Sequence, residues 1–188
     1  LLLLSACNMP VSGNTAQRNG GGVFLSGLLW LTNCTVVGNG AVAGGGAYCM
    51  SSPRLMNSIL YYNTPGGNYT NVGSSWSYQF CCTVPAVSGT GNFTNEPAFV
   101  SPDAGNYHLA SGSSCINAGT NHTWMTTALD LDGRPRILVN RVDLGAFEFA
   151  ANADDSDADG MPDAWELSYF SSLATMNATS DSDHDVAS

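Results

Sequence analysis

Short apolar runs alternate with stretches rich in glycine and asparagine along the first eighty residues of the chain. The clearest runs read, in order, VFL, LLWL, CTVV, AYCM and SILYY. Runs of this length that contain β-branched and aromatic residues and end at Gly or Asn are typical of β-strands joined by tight turns. The pattern therefore predicts an all-β fold for this part of the chain.

The pattern also repeats about every 24 residues. The glycine triplet at residues 20–22 recurs at residues 44–46, and Asn14 recurs as Asn39 and then as Asn63. One repeat of this length cannot bury its apolar face alone, so repeats stack with like residues above one another. The period predicts a solenoid of parallel strands in which Asn14, Asn39 and Asn63 form a structural ladder at one corner. Each side-chain amide is expected to bond to the backbone of the next coil.

The first seven residues, LLLLSAC, admit two interpretations. They resemble a bacterial lipoprotein cleavage box, but they also match the start of the second repeat, LLWLTNC. That alignment matches Leu4 with Leu31 and Cys7 with Cys34, and it places two extra residues in the first copy. Because a cleavage box has no reason to match a repeat, we interpret residues 1–7 as a strand of a solenoid that begins further upstream.

These features resemble the right-handed parallel β-helix proteins, the pectate-lyase-like family in the broad sense. The chain downstream is similar to the C-terminal, choice-of-anchor-type region of bacterial surface β-helix proteins. The segments that carry this second resemblance are GNF at 91–93, EPAFV at 96–100, GNYHL at 105–109, SSCINAG at 113–119, DLDGRPR at 130–136 and VDLGAFE at 142–148. The resemblance implies inward side chains for Phe99, Tyr107, Leu109, Ile116, Leu144 and Phe147. Asp130, Asp132, Arg134 and Arg136 are expected to pair in a charged turn that caps the solenoid end.

The predicted organisation has three parts. Residues 1–75 form β-helix coils of about 24 residues, residues 76–149 form the closing coils and the cap, and residues 150–188 form a calcium-binding loop-helix appendage. No stretch approaches the ~18 apolar residues of a membrane-spanning helix. Among the cysteines, the sequence leaves open a disulfide between Cys115 and either Cys81 or Cys82.

Charge is distributed unevenly over these parts. The chain has a formal net charge of −10 and only 11% charged residues. Residues 1–95 contain no Asp, Glu, His or Lys, and their only charged residues are Arg18 and Arg54. An acidic chain without a basic patch argues against a nucleic-acid partner. The low charged content, with Asn, Ser, Thr and Gly supplying the polarity, suits an extracellular or bacterial cell-surface protein.

The acidic tail contains the clearest chemistry. Residues 155–166 read D-x-D-x-D-G-x-x-D-x-x-E, which is the twelve-position calcium loop. Its predicted Ca²⁺ ligands are four aspartates, a backbone carbonyl and a closing bidentate glutamate, namely Asp155, Asp157, Asp159, Met161, Asp163 and Glu166. A single short helix is expected after Pro162, so the stretch resembles dockerin-like and thrombospondin-type-3-like calcium repeats. A weaker second half-loop begins at Asp181, Asp183 and Asp185, where Val186 stands in place of the glycine.

Two functions remain open from the sequence. The first is a non-catalytic extracellular or cell-surface protein of the stalk, adhesin or glycan-binding type, whose partner is an extracellular polysaccharide or another cell-surface component. The alternative is the C-terminal part of a pectate-lyase-like enzyme whose active site lies in upstream coils. Polysaccharide hydrolysis needs a carboxylate pair, and elimination needs calcium-binding acids with a basic residue. Residues 1–95 supply no acid, so the sequence predicts no catalytic residue there and favours the first function.

Overall fold

The computed structural model describes residues 4–7, 9–26, 29–73, 75–138 and 140–150. The chain divides into two units, Leu1–Glu148 and Phe149–Ser188, and every element below belongs to the first. The strands of the described residues are β1 Leu4–Cys7, β2 Pro10–Ser12, β3 Val23–Leu25, β4 Leu29–Thr32, β5 Thr35–Val37, β6 Ala47–Cys49, β7 Arg54–Tyr61, β8 Tyr69–Asn71, β9 Ser77–Thr83, β10 Phe99–Ser101 and β11 Asn106–Leu109.

Helix is almost absent from these residues. The helical segments in the described ranges are two single 3-10 turns, Pro102–Ala104 and Thr123–Thr126. The all-β prediction agrees with this strand-rich structure. None of the described helices has the length and apolar character needed to cross a bilayer.

The first nine strands form three rows of parallel pairs. The first row contains β1, β4 and the first halves of β7 and β9, and the second row contains β2, β5 and the second halves of β7 and β9. The third row contains β3, β6 and β8. Because β7 is long, it passes through a corner at Asn57 and joins the first two rows into one six-stranded sheet.

The pairing register differs from the alignment that the sequence suggested. Leu4 pairs with Leu29 and Cys7 with Thr32, and the same offset continues at Ser12, which pairs with Val37. The predicted match of Cys7 with Cys34, and the two extra residues in the first copy, are therefore wrong. Side chains alternate between faces with a period of two, so a shift of two residues leaves the inward and outward pattern unchanged. The apolar pattern alone could not distinguish the two alignments.

The corner between the first two rows has a left-handed backbone in three successive strands. Asn33 has φ 53°, Asn57 has φ 48° and Phe80 has φ 51°. Asparagine tolerates this conformation because its short polar side chain can bond locally, whereas a bulky residue such as Phe80 is unusual there. This second set of aligned corner residues was not predicted.

The apolar core lies between the three rows. It contains Leu31, Leu55 and Tyr78 from the first row, Cys34, Val36, Leu60 and Cys81 from the second, and Leu25, Ala47 and Cys49 from the third. Each of these side chains is at most 2% exposed. The three rows therefore contribute to one buried apolar cluster.

The closing segment, residues 84–148, packs against this interior with little regular structure. Its antiparallel pair, β10 and β11, contributes Phe99 and Leu109 to the buried set, and Leu144 is also buried. The other three residues that were expected to face inward, Tyr107, Ile116 and Phe147, are only half-buried.

Two polar contacts attach the closing segment to the strand rows. The Asn57 side chain donates to the Thr120 carbonyl at 2.9 Å and accepts from the Thr120 N–H at 2.8 Å. The Thr35 hydroxyl accepts from the N–H of Ala146 at 3.0 Å. Side chains of the six-stranded sheet therefore hold residues of the closing segment that lie far away in the sequence.

Candidate functional site

Asn14, Asn39 and Asn63 lie in one column, joined by direct hydrogen bonds. The Asn39 carbonyl oxygen (Oδ1) accepts from the backbone N–H and the side-chain Nδ2 of Asn14, both at 3.0 Å. Asn63 Oδ1 accepts from the corresponding two groups of Asn39 at the same distance. Asn39 and Asn63 are buried, so each amide satisfies groups that water cannot reach. We interpret this column as a structural device.

The column has a fourth member that the sequence analysis missed. Asn68 Oδ1 accepts from the backbone N–H and Nδ2 of Asn63, although Asn68 lies only five residues further on. Its Nδ2 donates to the carbonyl of Val84 at 2.7 Å. The turn at residues 64–67 places Asn68 in the position of the column that the period assigns to a residue one full repeat after Asn63. A search for a constant period therefore cannot detect Asn68.

The recurring glycines are required by the asparagine column. A Cβ atom on Gly22 would lie 2.9 Å from Asn39 Nδ2, and one on Gly46 would lie 2.7 Å from Asn63 Nδ2. A Cβ on Gly46 would also meet the carbonyl oxygen of Asn68 at 2.4 Å. Glycine is needed here because the backbone passes too close to the amides for any side chain.

The predicted calcium ligands cannot be placed by the structure. Asp155, Asp157, Asp159, Met161, Asp163 and Glu166, and the half-loop residues Asp181, Asp183 and Asp185, all lie outside the described residues. Among the residues that are described, no group of three or more His, Cys, Asp or Glu side chains could hold a metal ion.

The charged turn is only partly a surface feature. Asp132 and Arg134 form the expected half-exposed pair, with 3.3 Å between Asp132 Oδ2 and Arg134 Nη1. Arg136, in contrast, is fully buried, and its Nη2 lies 3.0 Å from Glu148 Oε1 and 3.0 Å from the carbonyl of Gly145. The expectation that all four residues pair as a surface cap is wrong for Arg136 and for Asp130, which is also buried.

Asp130 and Glu148 organise the backbone around this arginine. The two oxygens of Asp130 accept from the backbone N–H groups of Asp132, Arg134 and Glu148 at 2.8–2.9 Å. The Glu148 carboxylate accepts from the N–H of Asp143, with the shorter contact at 3.0 Å. The residues form a buried charge cluster, defined here as Asp130, Arg136, Asp143 and Glu148.

Burial in this cluster shifts the pKa of Glu148. Burial, reinforced by the negative charge of Asp143, raises this pKa to about 8, although the nearby Arg136 guanidinium opposes the shift. Burial likewise lowers the pKa of Arg136 from its ordinary value. All four side chains are at most 6% exposed, so we interpret the cluster as structural.

His108 is the described histidine with the most polar contacts. Its Nε2 lies 2.8 Å from Asp132 Oδ2, its Nδ1 lies 2.6 Å from Asn106 Oδ1, and its ring packs on Phe147 with 4.1 Å between ring centroids. Both ring nitrogens are thus engaged by fixed neighbours. This arrangement orients a turn and does not present a base to a substrate.

A surface with two clefts lies on the outer face of the first strand row. We call it the Trp–Arg face and define it by Trp30 on β4, Arg54 on β7, and Trp76 and Ser77 at the start of β9. Two shallow clefts adjoin at Arg54, one bordered by Trp30, Met56 and Gln79 and the other by Pro53 and Trp76. Trp30 is 37% exposed and Trp76 is 46% exposed.

Arg54 packs on an aromatic ring. Its guanidinium carbon lies 5.1 Å from the centroid of the Trp30 ring, which is cation–π geometry. Residues 1–95 contain no acid, and no described acid pairs with Arg54. The N–H donors of Arg54 are therefore oriented by Trp30 and remain open to an external acceptor. The sequence did not predict this face, because Trp30, Arg54 and Trp76 come from different repeats.

Comparison of the chain with protein families, with curated proteins and with solved structures finds no match in any of the three. Its function therefore has to be argued from the geometry of its own residues.

Proposed function

We propose that the three strand rows are the faces of a right-handed parallel β-helix, with one coil for each sequence repeat. Support comes from the pairing: every pair among β1–β9 is parallel, and partners lie 22 to 25 residues apart. To pair in parallel with the preceding strand after each such interval, the chain has to complete one turn and come back in the same direction. The crossover that joins two parallel strands of a sheet is strongly preferred to be right-handed. The shared core between the rows is the interior that such a path would enclose.

We infer that the protein is a non-catalytic extracellular or cell-surface protein of the stalk or adhesin type, which binds glycan on its outer surface. The Trp–Arg face carries this proposal. Indole rings stack on the C–H faces of sugars, and an oriented guanidinium donates paired hydrogen bonds to sugar hydroxyl or carboxylate oxygens. Arg54, flanked by Trp30 and Trp76, presents both kinds of contact on one surface. The described part of this face contains no acid that could act in hydrolysis or elimination.

The experiment is a binding titration of the full chain against a panel of neutral and uronic-acid oligosaccharides. We expect saturable binding to at least one member, with Trp30→Ala and Arg54→Ala each weakening it at least about tenfold, or about 1.4 kcal/mol. Arg18→Ala is the matched control, because Arg18 is exposed in the same unit but contacts no tryptophan. Absence of binding to the whole panel, or equal loss in the Arg18 variant, would contradict the proposal.

We further propose that residues 155–166 bind Ca²⁺ and stiffen the junction that follows the β-helix. The support is the complete loop sequence. Glu166→Gln removes one oxygen from the ligand that closes the site with two, so calcium affinity should fall by at least about tenfold in a calorimetric titration. Asp183→Asn, in the incomplete second loop, is the control and should leave that affinity nearly unchanged. The melting transition of the Leu1–Glu148 unit should not move in either variant; its loss in Glu166→Gln would contradict the separation of the two modules.

A further inference from the structure

Three buried thiols lie where the strand rows meet the closing segment. Cys81 and Cys82 are consecutive residues of β9, and Cys115 lies in the closing segment. All three are fully buried, and none is in a disulfide. The sequence could not distinguish Cys81 from Cys82 as a partner for Cys115.

Strand geometry separates the two adjacent cysteines. Consecutive side chains of a strand point to opposite faces. Cys81 belongs to the apolar core with Cys34 and Leu60, and its thiol donates to the carbonyl of Gln79 at 3.4 Å. Cys82 faces the closing segment, where its thiol donates to the carbonyl of Asn95 at 3.0 Å and is in side-chain hydrogen-bond contact with Cys115.

The backbone on both sides of this contact is fixed. The N–H of Cys115 donates to the hydroxyl of Ser113 at 3.1 Å, and its carbonyl accepts from the N–H of Leu144 at 3.0 Å. On the other side, Cys82 lies in a strand that pairs residue by residue with β7. Two thiols held in contact by rigid backbone need little movement to reach disulfide geometry.

We propose that Cys82 and Cys115 form a covalent cross-link, a disulfide that ties the last strand row to the closing segment. The bond forms by thiol–disulfide exchange with a small-molecule disulfide such as oxidised glutathione. The two protein thiols lose two protons and two electrons as the S–S bond forms, and the oxidant is reduced to two thiols. The oxidising exterior inferred for this protein would supply such an oxidant, but the chemistry of the pair does not depend on the ligand of the Trp–Arg face.

The cross-link should form while the chain folds and not afterwards. The thiolate is the attacking species, and its contact with Cys115 together with burial raises the pKa of Cys82 far above its ordinary value. A folded, reduced protein should therefore react slowly with external disulfides. The same burial protects the bond from reduction once it has formed.

The test is oxidative refolding of the full 188-residue chain in a glutathione buffer, followed by denaturation and alkylation of free thiols. The chain has six cysteines, so the mass should show four alkylated thiols after oxidative refolding and six after refolding in reductant. Six after both treatments would overturn the proposal. Peptide mapping should place the cross-link between the segments that contain residues 81–82 and residue 115.

Single variants assign the partner, because mapping cannot easily resolve adjacent cysteines. Cys81→Ser should keep the cross-link, whereas Cys82→Ser and Cys115→Ser should each abolish it; a bond lost in Cys81→Ser but kept in Cys82→Ser would overturn the assignment. If a serine variant fails to fold, the wild-type chain still decides: oxidation should raise its melting temperature by about 10 °C, from the loop that the bond closes. An unchanged melting temperature would count against a cross-link at this junction.

Discussion

The strand rows, from Leu4 to Thr83, and the closing segment, residues 84–148, bury polar side chains of different kinds. In the strand rows the buried polar side chains are neutral amides and hydroxyls, and the amides of the asparagine column repeat from one strand to the next. In the closing segment all the buried polar side chains except Ser113 are ionisable, and they form specific contacts such as that of Arg136 with Glu148. Stacked strands use the same contacts in each repeat, whereas the segment at the end of the stack uses contacts that occur once.

The difference also predicts which changes each region tolerates. A repeated contact is supported by similar contacts above and below it, so one lost amide leaves its neighbours in place. The buried charge cluster has no second copy among the described residues, and removal of its cation leaves Asp130, Asp143 and Glu148 facing one another. The largest effects of substitution should therefore come from the closing segment.

Arg136→Met should cause the largest loss. Removing the cation from the buried charge cluster leaves its carboxylates without compensation and costs about 3–5 kcal/mol. Chemical denaturation of the variant measures this loss in the free energy of unfolding. Arg134→Met is the control, because the Arg134–Asp132 pair is half-exposed and should contribute less than about 1 kcal/mol. An equal loss of unfolding free energy in the two variants would show that the burial of Arg136 does not set the closing segment apart from the strand rows.

Asn63→Ala should come next, with a loss of about 2–4 kcal/mol. The variant leaves the buried N–H of Asn39 and the carbonyl of Val36 without their partners, and each orphaned group costs about 1–3 kcal/mol. Asn14→Ala is the matched control, since Asn14 is exposed and the Asn39 carbonyl oxygen keeps its bond from the backbone N–H of residue 14. A smaller loss of stability in Asn63→Ala than in Asn14→Ala would show that the asparagine column does not stabilise the fold.

Gly46→Ala should cost about 1–3 kcal/mol through overpacking against Asn63 and the Asn68 carbonyl. Gly112→Ala, in the closing segment, has no atom within 4 Å of the added methyl group and should change stability by less than about 0.5 kcal/mol. Thermal melts of the two variants provide the comparison. A Gly46→Ala variant as stable as the wild-type chain would indicate that the backbone can move away from the asparagine column.

The pH dependence should be the smallest effect and should arise from the closing segment alone. Folded Glu148 keeps its proton up to about pH 8, whereas an unfolded glutamate loses it near pH 4.5. The folded state therefore binds more protons in this window, and the free energy of unfolding should decrease as pH rises through it. We expect a decrease of about 1 kcal/mol between pH 7 and pH 8, where folded Glu148 begins to lose its proton, measured by denaturation. Glu148→Gln should flatten this slope; an unchanged slope would assign it to another group.

The sequence predicted the features that repeat and missed those that occur once. Asn14, Asn39 and Asn63 could be found because a period places them, and the structure brings all three together. The offset of the first copy could not be found, since a shift of two residues preserves the inward and outward alternation. Arg136 could not be assigned to the interior because its neighbours, Asp132 and Arg134, have the composition of a surface turn. Asn57 lies within a strand, and its role depends on Thr120, a contact between distant residues that no local pattern encodes.

The pairing offset also sets an order of events in folding. Each strand among β1–β9 finds its partner within about one repeat, so closing the intervening loop costs a similar, modest entropy at every step. The bond between Thr35 and Ala146 spans 111 residues and becomes accessible only after the strands between them are in place. We therefore expect the strand rows to assemble first, one neighbour at a time, and the closing segment to dock in a later kinetic phase. The slowest step in folding would then be the docking of the closing segment, not the assembly of the strand rows.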